Sequence, residues 1–208
     1  MSDALALAEP LPHPVPYADR LEARQLASVS LVVLHCTELP DLATARRYAE
    51  VVHYPESGTG NCGHLYIDRD GQVEQYVPLD RVAHHVVGYN ERSVGIELVN
   101  VGRFPNWYAS TAQEMKTPYP TVQIQRLIQV IHRLQMEIPS LTQIAGHEAL
   151  DTRRVPASDD PGIRVPRKMD PGPLFPWPAV MEEITLKRLG AAAGNDAGDH
   201  TGSNPKRV

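Results

Sequence analysis

The chain has 208 residues, enough for one full-sized packed domain and short for two. Hydrophobic residues make up 42% and the formal net charge is -5, with Lys and Arg scattered, which excludes the basic stripe of a nucleic-acid-binding surface. Two cysteines, Cys36 and Cys62, are too few for a disulfide framework and lack the paired spacing of a structural zinc site. They are read as thiols; sequence does not decide whether one bridge joins them.

Residues 1–25 are Pro-rich without clear periodicity and are expected to form an arm lying over the domain. Asp3, Glu9 and four prolines interrupt what would have to be the apolar core of a signal peptide. No stretch approaches the ~20 apolar residues of a membrane span. A cytoplasmic location is therefore expected, with a periplasmic or extracellular one as the alternative. Ser30–Cys36 is a continuous apolar run, the pattern of a strand buried on both faces. Pro40 and Asp41 open a helix carrying Ala43, Ala45, Tyr48, Ala49 and Val52. His64–Asp68 and Gln72–Val77 flank an Asp-Gly hairpin signal, and Ser93–Asn100 is another strand.

Thr121 begins the clearest helix, with Leu127, Ile128, Ile131 and Leu134 at three- and four-residue spacing. Thr142–Ala145 reads as a short strand ending at Gly146-His147. A last helix starts near Pro178 and is stopped by Gly190. Strands interleaved with helices, one hairpin included, predict a single α/β domain over residues 26–189, a mixed sheet flanked by helices. The Gly-rich, polar stretch 190–208 is expected to be disordered. The irregular stretches 102–120 and 151–165 are candidates for a lid or a substrate wall.

Of nine histidines, His13, His53, His132 and His200 read as surface or flexible-end residues, the middle two on helices. His35 ends an otherwise apolar strand and is either a satisfied core histidine or a ligand on a rigid element. His147 has the same two readings. Asp170, before Pro171, is a turn aspartate or a third ligand. Together the three supply two imidazoles and one carboxylate, the donor set of an open catalytic zinc site, although their spacing alone does not bring them together. Glu97 is a carboxylate inside an apolar strand: a solvent-facing residue, or a general base. Lys168 stands two residues before Asp170, so an extended segment points both the same way. It is a solvated surface lysine or an oxyanion stabiliser.

These motifs resemble the type-2 N-acetylmuramoyl-L-alanine amidase family, related to phage lysozyme-amidases and peptidoglycan recognition proteins. The carriers run from about Leu31 to Trp177. They are Val32-Val33-Leu34-His35, Gly63-His64-Leu65-Tyr66-Ile67-Asp68-Arg69-Asp70-Gly71, His85-Val86-Val87-Gly88-Tyr89-Asn90, Ser93-Val94-Gly95-Ile96-Glu97-Leu98, Ala145-Gly146-His147-Glu148 and Arg167-Lys168-Met169-Asp170-Pro171-Gly172-Pro173. The resemblance implies an amidase or recognition-protein-like fold, with Zn2+ bound by His35, His147 and Asp170 and catalysis by Glu97 and Lys168. Many relatives carry a catalytic tyrosine before His64; here the residue is Gly63, a pattern similar to the cytoplasmic branch that recycles anhydro-muropeptides.

By the same resemblance His85 lies at the groove wall and binds substrate, with neighbouring His84 as the alternative. Asn90 and Arg92 are candidate contacts to the peptide or its carboxylates, and equally ordinary loop residues. His64 is read as a packing residue. The implied reaction is zinc-dependent hydrolysis of the amide between the muramic-acid lactyl group and L-alanine, in peptidoglycan or in anhydro-muropeptides. The alternatives are a non-catalytic peptidoglycan-binding module and a zinc peptidase acting on stem peptides. The expected partner is a peptidoglycan fragment, with no nucleic acid and no membrane span, and a monomer is the default.

Overall fold

In the computed structural model, residues 9–190 are described, and the expected tail beyond Gly190 lies outside them. Leu11–Pro12 (β1) is followed by Leu31–Cys36 (β2), whose six residues are all buried, as a strand covered on both faces requires. The Asp41 carboxylate accepts from Thr44 N at 2.6 Å and caps Leu42–Ala49 (α1). Val52–Tyr54 (β3) pairs antiparallel with Thr59–Gly60 (β4), and Leu65–Ile67 (β5) with Val73–Gln75 (β6) across the Asp-Gly turn. Then come Ser93–Leu98 (β7), Thr121–Glu137 (α2), Gln143–Gly146 (β8) and the single turn His147–Leu150 (α3). Arg154–Pro156 (β9) pairs antiparallel with Arg164–Pro166 (β10), and Trp177–Glu183 (α4) and Lys187–Arg188 (β11) follow.

Seven strands form one mixed sheet in the order β1-β6-β5-β7-β2-β8-β11. Every neighbouring pair is parallel except β5 with β6. The alternation of side chains divides the sheet. Val32, Leu34, Val94, Ile96 and Leu98 pack against α2 and α4 through Leu127, Ile131 and Val180. Leu31 and Val33 face the other way, towards Val86 and Ala145. The same alternation sends His35, Ser93, Gly95 and Glu97 to that second side. Because β2 and β7 run parallel with His35 opposite Glu97, both side chains emerge at the carboxyl ends of adjacent central strands.

Three expectations about local structure are corrected. The first helix ends at Ala49 and does not include Val52, so His53 lies in β3; Val51, Val52 and Tyr54 suit a strand better than a helix. The last helix ends at Glu183, well before Gly190, where β-branched Ile184 turns extended and the chain adds β11 to the sheet edge. The stretch 151–165 contains a two-stranded ribbon, tied to the loop before it by Ser158 N donating to Tyr108 O and Ser110 N to Asp159.

The amino-terminal segment is built into the fold. β1 extends the sheet beyond β6, and buried Tyr17 donates its hydroxyl to Ala49 O at 2.6 Å. Arg24 donates to the carbonyls of Leu79, Asn90 and Ser93. Both cysteines are free and buried. No helix among the described residues is long and apolar enough to cross a membrane.

The loop after β7 is fixed by a buried ion pair. Arg103, 3% exposed, contacts Glu38 Oε1 at 2.6 Å and Oε2 at 2.8 Å, and donates to Pro166 O at 3.0 Å. One guanidinium thus joins the end of β2, the 102–120 loop and the segment leading to Lys168. Arg103→Ala leaves the Glu38 carboxylate buried without its partner and is expected to cost about 3–5 kcal/mol. Equilibrium unfolding in urea measures this directly.

Candidate metal centre and groove

His35, His147 and Asp170 come from three different elements: β2, the junction of β8 with α3, and the loop before α4. They are 3%, 2% and 2% exposed. His35 Nδ1 lies 3.0 Å from Asp170 Oδ2, His147 Nδ1 lies 3.1 Å from the same oxygen, and the two nitrogens are 3.0 Å apart. Glu148 N donates to Asp170 O at 3.0 Å, tying the ligand segments together through the backbone.

Among the described residues this trio brings its donor atoms within 4.8 Å of one another. Asp170 Oδ1 is buried without a hydrogen-bond partner. Two imidazole nitrogens, one carboxylate oxygen and an orphaned second oxygen fit a divalent cation such as zinc. Burial alone would raise the Asp170 carboxyl, but His147, Lys168 and His35 around it hold it well below the usual carboxylate range. Burial lowers His35 to about 4, so its ring is neutral, as a metal ligand must be.

Glu97 Oε1 is 3.9 Å from His35 Nδ1. Burial, with Asp170 adding to it, raises the Glu97 carboxyl to about 8. A Cβ at Gly63 would stand 2.8 Å from Glu97 Cγ, so the glycine makes room for this carboxylate. Lys168 lines the same groove as Asp170. The groove has a volume of about 400 Å³, and His35, Glu97, His147, Lys168 and Asp170 are among the residues that line it.

Of the expected substrate contacts, His85 and Asn90 reach the groove and Arg92 does not. The Arg92 guanidinium is committed to Ser30 Oγ and Gln143 Oε1, both at 3.1 Å, at the amino ends of β2 and β8. Asn90 Oδ1 accepts from His85 N at 3.0 Å and Val86 N at 2.8 Å and so shapes the loop. His64 is a packing residue, wholly buried, whose Nδ1 accepts from Gly95 N. Sequence reasoning missed Tyr54, Cys62, Tyr66, Trp107 and Tyr108 as groove residues. For Trp107 and Tyr108 the only signal is that aromatic side chains recur in an otherwise irregular stretch.

A family model described as N-acetylmuramoyl-L-alanine amidase matches residues 25–173. Over 148 residues the chain is 31% identical to the 1,6-anhydro-N-acetylmuramyl-L-alanine amidase AmpD of Salmonella typhimurium, covering 67% of this chain and 63% of that protein. Over 139 residues it is 34% identical to AmpD of Enterobacter cloacae, covering 62% and 58%. The matched stretch thus spans less than two thirds of either relative. The solved structure of the N-acetylmuramoyl-L-alanine amidase LysC from Clostridium intestinale superposes with a TM-score of 0.61 at 19% identity, covering 86% of this chain and 99% of that one, a likeness of fold.

Proposed function

The chain belongs to the N-acetylmuramoyl-L-alanine amidase family, and from that premise we propose that it is a zinc amidase cleaving the bond between the muramic-acid lactyl group and L-alanine. The observation that carries this reading is a three-donor centre with a desolvated carboxyl, Glu97, 3.9 Å from one of its ligands. His35, His147 and Asp170 would hold the metal. When bound, zinc supplies Lewis-acid polarisation of the scissile carbonyl and a lowered water pKa.

The chain's own groups then divide the work. Glu97 takes a proton from the attacking water and delivers it to the departing L-alanine amine. The Lys168 ammonium, in the same groove, faces the negative charge that develops on the carbonyl oxygen. The groove walls orient the substrate. The catalytic unit comprises residues 26–189 together with the arm stitched onto it. The 1,6-anhydro-N-acetylmuramyl-L-alanine linkage named for the AmpD relatives is the favoured substrate, and cytoplasmic recycling, the setting that the sequence resemblance implies, is the favoured one.

Release of free stem peptide from an anhydro-muropeptide, with and without a chelator, tests the reading, with intact sacculi run in parallel. We expect cleavage of the soluble fragment, abolished by the chelator and restored by zinc. Cleavage of sacculi as well would point to a wall hydrolase. A zinc-bound protein that cleaves neither would be a recognition module or a peptidase of different specificity.

A further inference from the structure

One face of β7 presents Ser93, Gly95 and Glu97 in succession, because alternate residues of a strand share a side. Glu97 is accounted for by the proposed chemistry. The other two residues serve His85. A Cβ at Gly95 would stand 2.7 Å from His85 Cγ, so the imidazole lies directly over the glycine. Ser93 Oγ is 3.2 Å from His85 Nε2, and His85 Nδ1 is 3.0 Å from His35 Nε2.

The direction of each hydrogen bond follows from counting protons. A serine hydroxyl has one. Ser93 donates it to Tyr89 O at 2.8 Å, so towards His85 the oxygen can only accept, and His85 Nε2 carries the proton between them. Among the described residues no carboxylate pairs with His85, and its ring sits in edge contact with His35 and His64, so the ring is neutral. A neutral imidazole has one N–H, and His85 Nδ1 is therefore an acceptor. Its donor is His35 Nε2–H.

That leaves His35 Nδ1 as a bare lone pair, 3.0 Å from a carboxylate oxygen and 3.0 Å from another imidazole nitrogen. Such a convergence of lone pairs is relieved by a cation among them. We propose that His85, anchored by Ser93, is a positioning residue: the relay Tyr89 O–Ser93–His85 fixes His35 as its Nε2–H tautomer and dedicates Nδ1 to the metal. His85 therefore acts through a ligand, from its place on the groove wall. The Asn90 bonds to the backbone of His85 and Val86 hold the ring over Gly95. Support of this kind from behind a ligand is worth about 10–100-fold in metal affinity.

The inference rests on the metal-centre reading above, and its test reads zinc binding and not turnover. The zinc dissociation constant of the full chain is measured by competition with a chromophoric chelator, for the unaltered protein and for His85→Ala, His85→Asn and Ser93→Ala. Thermal unfolding of each zinc-free form reports whether the variant is folded. We expect His85→Ala to weaken zinc by about 10–100-fold and Ser93→Ala to weaken it in the same direction. His85→Asn, whose Oδ1 can replace Nδ1 as acceptor, should recover most of the loss. Nitrogen-15 imidazole spectra of the unaltered, zinc-loaded protein should show His35 protonated at Nε2.

Unchanged affinity in folded His85→Ala, equal weakening in the alanine and asparagine variants, or a proton-free His35 Nε2 would each overturn the relay while leaving the metal centre intact. Failure of the unaltered protein to bind zinc would overturn both.

Discussion

Glu97→Ala is expected to lower turnover of the muropeptide by about 10²–10⁴-fold, the range for loss of a positioned general acid–base group, while the protein keeps its zinc. Glu97 stands beside the three candidate ligands, 3.9 Å from His35 Nδ1. Its removal also reports on stability. Burial raises its carboxyl from the usual 4.5 to about 8, so the folded state disfavours the ionised form. The sign follows from linkage: at acid pH the protonated group costs the fold nothing, and the cost grows as pH rises from about 4.5 to about 8. In metal-free protein Glu97→Ala should therefore gain thermal stability over the unaltered chain, more at pH 8 than at pH 5. A variant that lost turnover and zinc together would sink the assignment of Glu97 as the proton carrier.

Asp170→Ala is expected to behave in the opposite way, losing zinc first and activity as a consequence. Asp170 Oδ2 is the point on which both imidazoles converge, at 3.0 and 3.1 Å. Loss of a direct ligand should exceed the ~10–100-fold effect of removing a supporting partner, leaving little zinc after dialysis. Metal analysis beside peptide release separates the two variants: Glu97→Ala retains metal without turnover, and Asp170→Ala loses both. Far-UV circular dichroism of the zinc-free forms checks that neither result reflects unfolding. Full zinc content in Asp170→Ala would mean that the metal is held elsewhere.

Much of this architecture was legible before any coordinates. The apolar run from Leu31 to Cys36 has too many branched residues and too little periodicity for anything but a buried strand, and it is one. The Thr121 helix announced itself by its spacing, and the Asp-Gly turn by its dipeptide. Boundaries fared worse where propensity and context compete, as at Val52 and Ile184. Neither β1 nor β11 was legible: two-residue strands carry no pattern and exist because a sheet edge offers them partners.

The residue types of the centre were equally readable, since a histidine closing an apolar strand and a glutamate inside one are anomalies that demand an explanation. Their convergence was not. His35 and Asp170 are 135 positions apart; the parallel pairing of β2 with β8 brings His35 and His147 to one end of the sheet, and the bond from Glu148 N to Asp170 O docks the third segment there. Arg92 and His85 show the same limit. Both were expected to be substrate contacts, yet the guanidinium is absorbed by Ser30 and Gln143 while the imidazole lies 3.0 Å from His35 Nε2. Side-chain chemistry and strand alternation are local properties, written in the order of residues. Which donor meets which acceptor depends on the register between strands distant in the chain, and that is decided only when the sheet assembles.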